Sequence, residues 1–164
     1  MFDLKPLSKA AIPAALAKAE RYRLLNEPGA AESICLDILR LESDNQQALV
    51  MLVLALTDQF SGESSSRALA GVGEVLARLT DDYKRSYYSG IVRERRAKAH
   101  LQHGRLASAA AEWLREAMQF YERAEALREA GNDESLLRWN SCARILMTIP
   151  VEPDVREPEP LQLE

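Results

Sequence analysis

The sequence predicts an all-α protein, and three observations lead to that class. Apolar residues make up 47 % of the 164-residue chain, charged residues 28 % and aromatics only 6 %, a mix typical of helical proteins. No proline lies between Pro28 and Pro150, although seven occur in the chain. Proline inside a helix costs about 3 kcal/mol, so this long interval is free of the strongest helix breaker. Within it apolar residues recur at spacings of three and four, the period of a half-buried helix. The chain divides into a helical domain over residues 1–149 and a proline- and acid-rich tail over 150–164.

Seven consecutive helices are expected. The first runs from near Pro13, which is tolerated in a first turn, to Leu25, with Asn26 as a left-handed exit. The second starts at Pro28, ends near Glu42 and carries Ile34, Ile38, Leu39 and Leu41. Asp44 is the expected cap of the third, Asn45 to Phe60, which is apolar nearly all round between Ala48 and Leu56. The serines of "SGESSS", Ser61 to Ser66, cap a fourth helix over about Arg67 to Leu79. A fifth covers "YYSGIVRERRAKAHLQHG", Tyr87 to Gly104, and stops at that glycine. The sixth extends from Leu106 to Ala130 and closes at Gly131 and Asn132. Asp133 caps the seventh, in which Leu136, Trp139, Ala143 and Leu146 form one apolar stripe. The four prolines and many acids that follow predict an extended or disordered tail.

The formal charge of −4 is placed unevenly. The tail holds five acids and one base, which leaves the body balanced at 20 of each sign. A neutral body argues against a nucleic-acid binder, which needs a broad basic field. Locally, Lys84 to Arg105 carries seven lysines or arginines against Glu94 alone. On a helical wheel Tyr88, Val92 and Ala99 fall on one side, and Gly90, Ala97 and Leu101 on another. Arg93, Arg96 and His100 share a third side, with Arg95 and Lys98 on a further strip. That arrangement is either a solvated face with ion pairs to neighbouring acids or a basic groove for a partner's carboxylates or phosphates, which arginine forks grip bidentately. Arg93, Arg95, Arg96 and Lys98 are the candidate partner-binding residues.

Other chemistry finds little support. Cys35 and Cys142 lack any metal or disulfide spacing. His100 and His103 lie three apart, but arginines surround them and no further ligand pattern appears, so neither metal nor cofactor is expected. "GVG", Gly71 to Gly73, lacks the strand and lysine of a phosphate loop and reads as a close helix contact. The serines have no nearby histidine, so nucleophilic catalysis has no visible basis. The apolar run Ala48–Leu56 is too short to cross a membrane. The stretch before Glu20 is broken by Pro13 and ends its apolar run at Lys18, which predicts no export and hence a cytoplasmic protein.

Helix pairs spaced about 32 to 36 residues apart call for a search for repeats. The segment "AKAERYRLLNEPGAAESICLDILRLESDN" resembles a tetratricopeptide repeat. Ala19 stands at the small position of the first helix, Tyr22 at the aromatic position, and Ala31 at the small position of the second. Lys18 and Ser43 depart from the leucine and proline that the family prefers there. A looser match spans "RERRAKAHLQHGRLASAAAEWLREA". In it Ala97 and Ala109 take the small sites, His100 the aromatic site and Trp113 a large packing site. A third, diffuse match lies between the two, so the resemblance covers most of residues 13–130.

The resemblance implies a right-handed stack of antiparallel helices closed by a capping helix. It also implies a non-catalytic adaptor or scaffold that binds a protein or peptide segment in a groove. The lysine-and-asparagine clamp of chaperone-binding members is not visible in the first helices, so that specificity does not carry over. By resemblance the groove would lie on the basic fifth helix, where the acidic tail 150–164 of this chain, or of a second copy, is a candidate occupant. Two alternatives stand beside the adaptor: a small helical enzyme or enzyme regulatory subunit, and a self-associating structural protein forming homo-oligomers.

Overall fold

A computed structural model describes residues 2–63 and 65–150, and among these every regular element is helical. After a single 3-10 turn at Lys9–Ala11 come α1 (Ile12–Leu24), α2 (Pro28–Leu41), α3 (Gln46–Thr57) and α4 (Ser65–Ala77). These are followed by α5 (Asp82–Gln102), α6 (Ala107–Leu127) and α7 (Glu134–Thr148). Helices α1, α3 and α5 begin at Ile12, Gln46 and Asp82, intervals of 34 and 36 residues. The tail 151–164, and with it the expectation of an extended or disordered segment, lies outside the described residues.

Local chemistry sets most boundaries. Asn26 leaves α1 with φ 60° and Gly104 closes α5 with φ +63°, while Gly131, φ +86°, lies in the turn between α6 and α7. Only glycine, and less often asparagine, reaches that left-handed region at little cost. Asp81 caps α5, its side chain accepting from the Lys84 amide at 2.7 Å, so the helix starts five residues before Tyr87. One expected cap is corrected, and another, Asp133 of α7, holds its position without a side-chain cap bond. Asn45, not Asp44, caps α3: its backbone is extended there and its Oδ1 accepts from the Ala48 amide at 2.9 Å. At α7 the Asp133 carboxylate is drawn to Arg128 at 2.5 Å, and Asn132 Oδ1 accepts from the Glu134 amide instead. Helix α6 ends at Leu127, short of Ala130. The residue before α4, Ser64, lies outside the described residues.

Two hydrophobic cores result. The first gathers Ala19, Ala31, Ile38, Leu49, Val53, Ala68 and Leu79 from α1 to α4 and their connections, together with Val92 of α5. The second joins α5, α6 and α7 around Ile91, Ala97, Leu114, Tyr121 and Cys142. Helix α5 belongs to both: Tyr88 and Ala99 pack with Val92 on the first, and Leu101 with Ala97 on the second. The two sides read from the helical wheel are therefore both buried. On α6 the contact runs through Ala110, Leu114, Ala117, Tyr121 and Ala124, spaced four and three apart. Ala109, expected at the small contact position, is only half-buried, and Ala110 beside it is fully enclosed. The buried line of α7 passes through Ser135 and Cys142, with Trp139, Leu146 and Ile149 packed alongside.

Cys35 and Cys142 are unpaired and enclosed, and burial pushes both thiols up to about 12. A thiol held protonated and out of reach is inert. Neither cysteine should react with Ellman's reagent at pH 8 in the folded chain, and both should react on unfolding in guanidinium. Rapid labelling of the folded chain would contradict this packing.

Candidate functional site

The charges of α5 separate into distinct environments. Arg95 points into the seam between the two cores, where its Nη1 donates to Thr57 Oγ1 at 2.6 Å and to Asp58 Oδ1. Asp58 also accepts from Arg23 Nε at 2.7 Å, so one carboxylate joins α1, the end of α3 and α5. Burial lowers the Arg95 pKa, and the Asp58 charge opposes that shift. Lys98 reaches Glu94 one turn back and faces α7. Both expected partner-binding bases are thus engaged by acids of the chain itself, Arg95 by Asp58 and Lys98 by Glu94. The acids that pair with them, Asp58 and Glu94, come from the adjacent helix end and from α5 itself.

Glu94 is fully enclosed, with no exposed side-chain surface. Its carboxylate accepts from Tyr121 OH at 2.6 Å, from Arg138 Nη1 at 3.2 Å and from Lys98. Burial alone would raise its pKa, but the bonds from Lys98 and Tyr121 and the Arg138 charge outweigh that and hold it below the usual value. Tyr87 OH donates to Glu134 Oε2 at 2.8 Å, and burial pushes the Tyr87 hydroxyl up to about 12. Helix α7 is thus tied to α5 at two points by polar bonds. No spacing motif announces this cluster, yet one sign was available. Tyr87, Gly90, Glu94, Ala97 and Leu101 follow a three-four rhythm, and a lone acid on such a stripe is a buried acid.

Arg93 and Arg96 lie together on the third side of α5, as the wheel placed them. Arg93 Nε stands 2.9 Å from Glu116 Oε2, both side chains being well exposed. Arg96 has no carboxylate partner among the described residues. Its guanidinium sits 4.0 Å over the Trp113 ring, and His100 meets the same ring edge-on at 5.0 Å. His100 and Trp113, both expected at packing positions, thus pack against each other.

Beside this ladder two depressions of about 230 and 170 Å³ share Leu69 and Arg96 and form one groove between α4 and the α5–α6 pair. Its apolar floor comes from Leu69, Val72, Leu76, Val92 and Phe120. Its polar lining includes Arg93, Arg96, Arg105, His100 and His103, with no acid among the described lining residues. The Nε2 atom of His100 is buried there without a hydrogen-bond partner. His103 Nε2 instead meets the Ser61 carbonyl at 3.2 Å, so the two imidazoles have separate contacts. Phe120 and Leu69 were not among the expected site residues, because which residues share a groove depends on how the helices pack.

Gly71 and Gly73 are corrected as well. A Cβ at either would meet nothing within 4 Å, so neither makes the close helix contact expected, and Gly73 lies open on the groove wall. Trp139 is half-buried against the second core and donates to Glu122 at 3.0 Å, a packing role. A broader hollow of about 490 Å³ has its described lining on α1 and its C-cap, including Lys18, Arg21, Tyr22 and Leu25. Among the described residues no three histidine, cysteine or acidic side chains cluster as a metal would require. No described helix is long and apolar enough to cross a membrane. No protein family, curated protein or solved structure matches the chain.

Proposed function

We propose that this chain is a non-catalytic interaction module of tetratricopeptide-like build, working in the cytoplasm. Its groove between α4 and the α5–α6 pair receives an extended partner segment that combines carboxylates with leucine-type side chains. One observation carries the reading: an apolar floor rimmed by Arg96 and Arg105, neither of which has a described carboxylate partner, with no acid along the described lining. The starts of α1, α3 and α5 at intervals of 34 and 36 residues support the repeat build. So do the fully enclosed Ala19, Ala31 and Ala97 at helix contacts.

In this mechanism the floor supplies affinity by burying apolar side chains, at roughly 25 cal/mol per Å² removed from water. The arginines set orientation, because a planar guanidinium accepts a carboxylate through two parallel bonds. The indole of Trp113 holds Arg96 in place, an interaction typically worth about 0.5–1 kcal/mol at an accessible site.

The test is a titration of isotope-labelled chain with a synthetic peptide alternating glutamate and leucine, and with its lysine-for-glutamate counterpart. The acidic peptide should move the Arg96 and Trp113 resonances, weaken with added salt and lose about tenfold in affinity in Arg96→Glu/Arg105→Glu. Gly73→Leu should obstruct the same binding by filling open space on α4. Equal binding of both peptides, or binding indifferent to these substitutions, would refute the groove.

A further inference from the structure

We infer that the chain's own acidic segment, Val151 to Glu164, occupies this groove and competes with an outside partner, so that the module is self-inhibited. The inference rests on the groove reading above and adds its regulation. Three observations lead to it.

The first is where the described chain ends. Ile149 and Pro150 lie against α6 beside Ser108, Ala111, Glu112 and Arg115, on one flank of that helix. The groove touches the other flank of the same helix, at Trp113 and Phe120. The segment is therefore launched from a neighbouring face of α6, not from a distant end of the molecule.

The second is reach. A helix with its side chains is about 10–12 Å across, so half its girth is under about 20 Å. Extended chain advances about 3.3 Å per residue, which gives about 36 Å between Pro150 and Leu161. The segment can round α6 and place its last residues along Arg105 and Arg96 without pulling α7 from its bonds to α5.

The third is complementarity. Residues 151–164 contain five acids against Arg156, and "EPEPLQLE" sets Leu161 and Leu163 among Glu157, Glu159 and Glu164. That is the pairing of carboxylate and leucine that an apolar floor with an arginine rim selects. Proline disfavours a helical or sheet alternative, so an extended peptide loses less freedom on docking.

Tethering makes the competition quantitative. A short linker holds its segment at an effective concentration in the millimolar range. Against a segment affinity of about 100 μM, the groove would be mostly filled, and an outside peptide would bind about tenfold more weakly.

The experiment compares the full chain with the full-length variant Glu152→Gln/Asp154→Asn/Glu157→Gln/Glu159→Gln. The Trp113 indole and Arg96 amide resonances should differ between the two, independently of protein concentration. A synthetic 151–164 peptide should bind the neutralised variant about tenfold more tightly than the wild type. Identical groove resonances in the two chains would overturn the inference. Differences that vanish on dilution would assign the occupant to a second copy and overturn it equally. Binding of the peptide to the neutralised variant reports separately on the groove, so self-inhibition can fail while peptide recognition survives.

Discussion

Glu94→Ala should lower the unfolding free energy by about 3 kcal/mol, the largest loss expected from any charged position in the chain. The carboxylate is wholly enclosed and accepts three hydrogen bonds, from Tyr121, Arg138 and Lys98. Breaking a buried charge cluster typically costs 3–5 kcal/mol because the remaining partner is stranded. Here Lys98 and Arg138 are each about a third exposed and can turn toward water. The enclosed Tyr121 hydroxyl cannot, and it carries most of the loss, together with the cavity left by the side chain. Arg138→Ala should cost less, about 1–2 kcal/mol, since Glu94 keeps two of its donors.

Acid should expose the same cluster. The Glu94 pKa is held below its ordinary value in the folded chain. Its stabilisation is therefore complete above the unfolded glutamate value of about 4.3 and is lost as pH falls through the lower folded value. Urea denaturation from pH 7 to pH 3 should show a steeper fall in stability for wild type than for Glu94→Ala. Parallel pH profiles would show that the carboxylate is not ionised in the core.

Gly90→Ala should destabilise by about 1–3 kcal/mol, against the direction that helix propensity predicts. Alanine in a helix interior is normally better than glycine by about 1 kcal/mol. At Gly90, however, a Cβ would lie 2.5 Å from Cε1 of the Tyr121 ring and 2.8 Å from its Cδ1. That ring is enclosed, and its hydroxyl is bonded to Glu94, so it has no free direction in which to move. The α5–α6 pair would have to separate locally. Gly73→Ala is the matched control: its Cβ meets nothing within 4 Å, and it should stabilise by about 0.5–1 kcal/mol. Thermal melts of the two variants should shift in opposite directions. A shift in the same direction would contradict the close approach of Tyr121 to α5.

Helix identity and most helix ends were legible because they depend on local chemistry. Asn26 and Gly104 stop their helices through backbone conformations that few residues accept, whereas α6 ends at Leu127 through an extended Arg128, before the expected Gly131. The sides of α5 were legible too, since helical geometry dictates which residues share a face. Errors began where two adjacent residues compete for one role. Asn45 and Asp44 are both capable caps, and backbone conformation at the entry to α3 chose between them. Asp133 holds the N-cap position of α7 as expected, but its carboxylate pairs with Arg128 and the Glu134 amide turns to Asn132.

The candidate site was legible only in part. Arg93 and Arg96 could be placed together from spacing alone, whereas the fates of Arg95 and Lys98 could not. An arginine is a surface charge or a buried tie according to what the neighbouring helix presents, and Asp58 lies 37 residues away in the chain. The order of helices, their ends and the division of α5 into faces thus follow from the residues themselves, through propensity, capping and the 3.6-residue period. Which bases remain available, which glycine is indispensable and where a groove opens were settled by packing, because each depends on residues distant in the chain meeting across a helix contact.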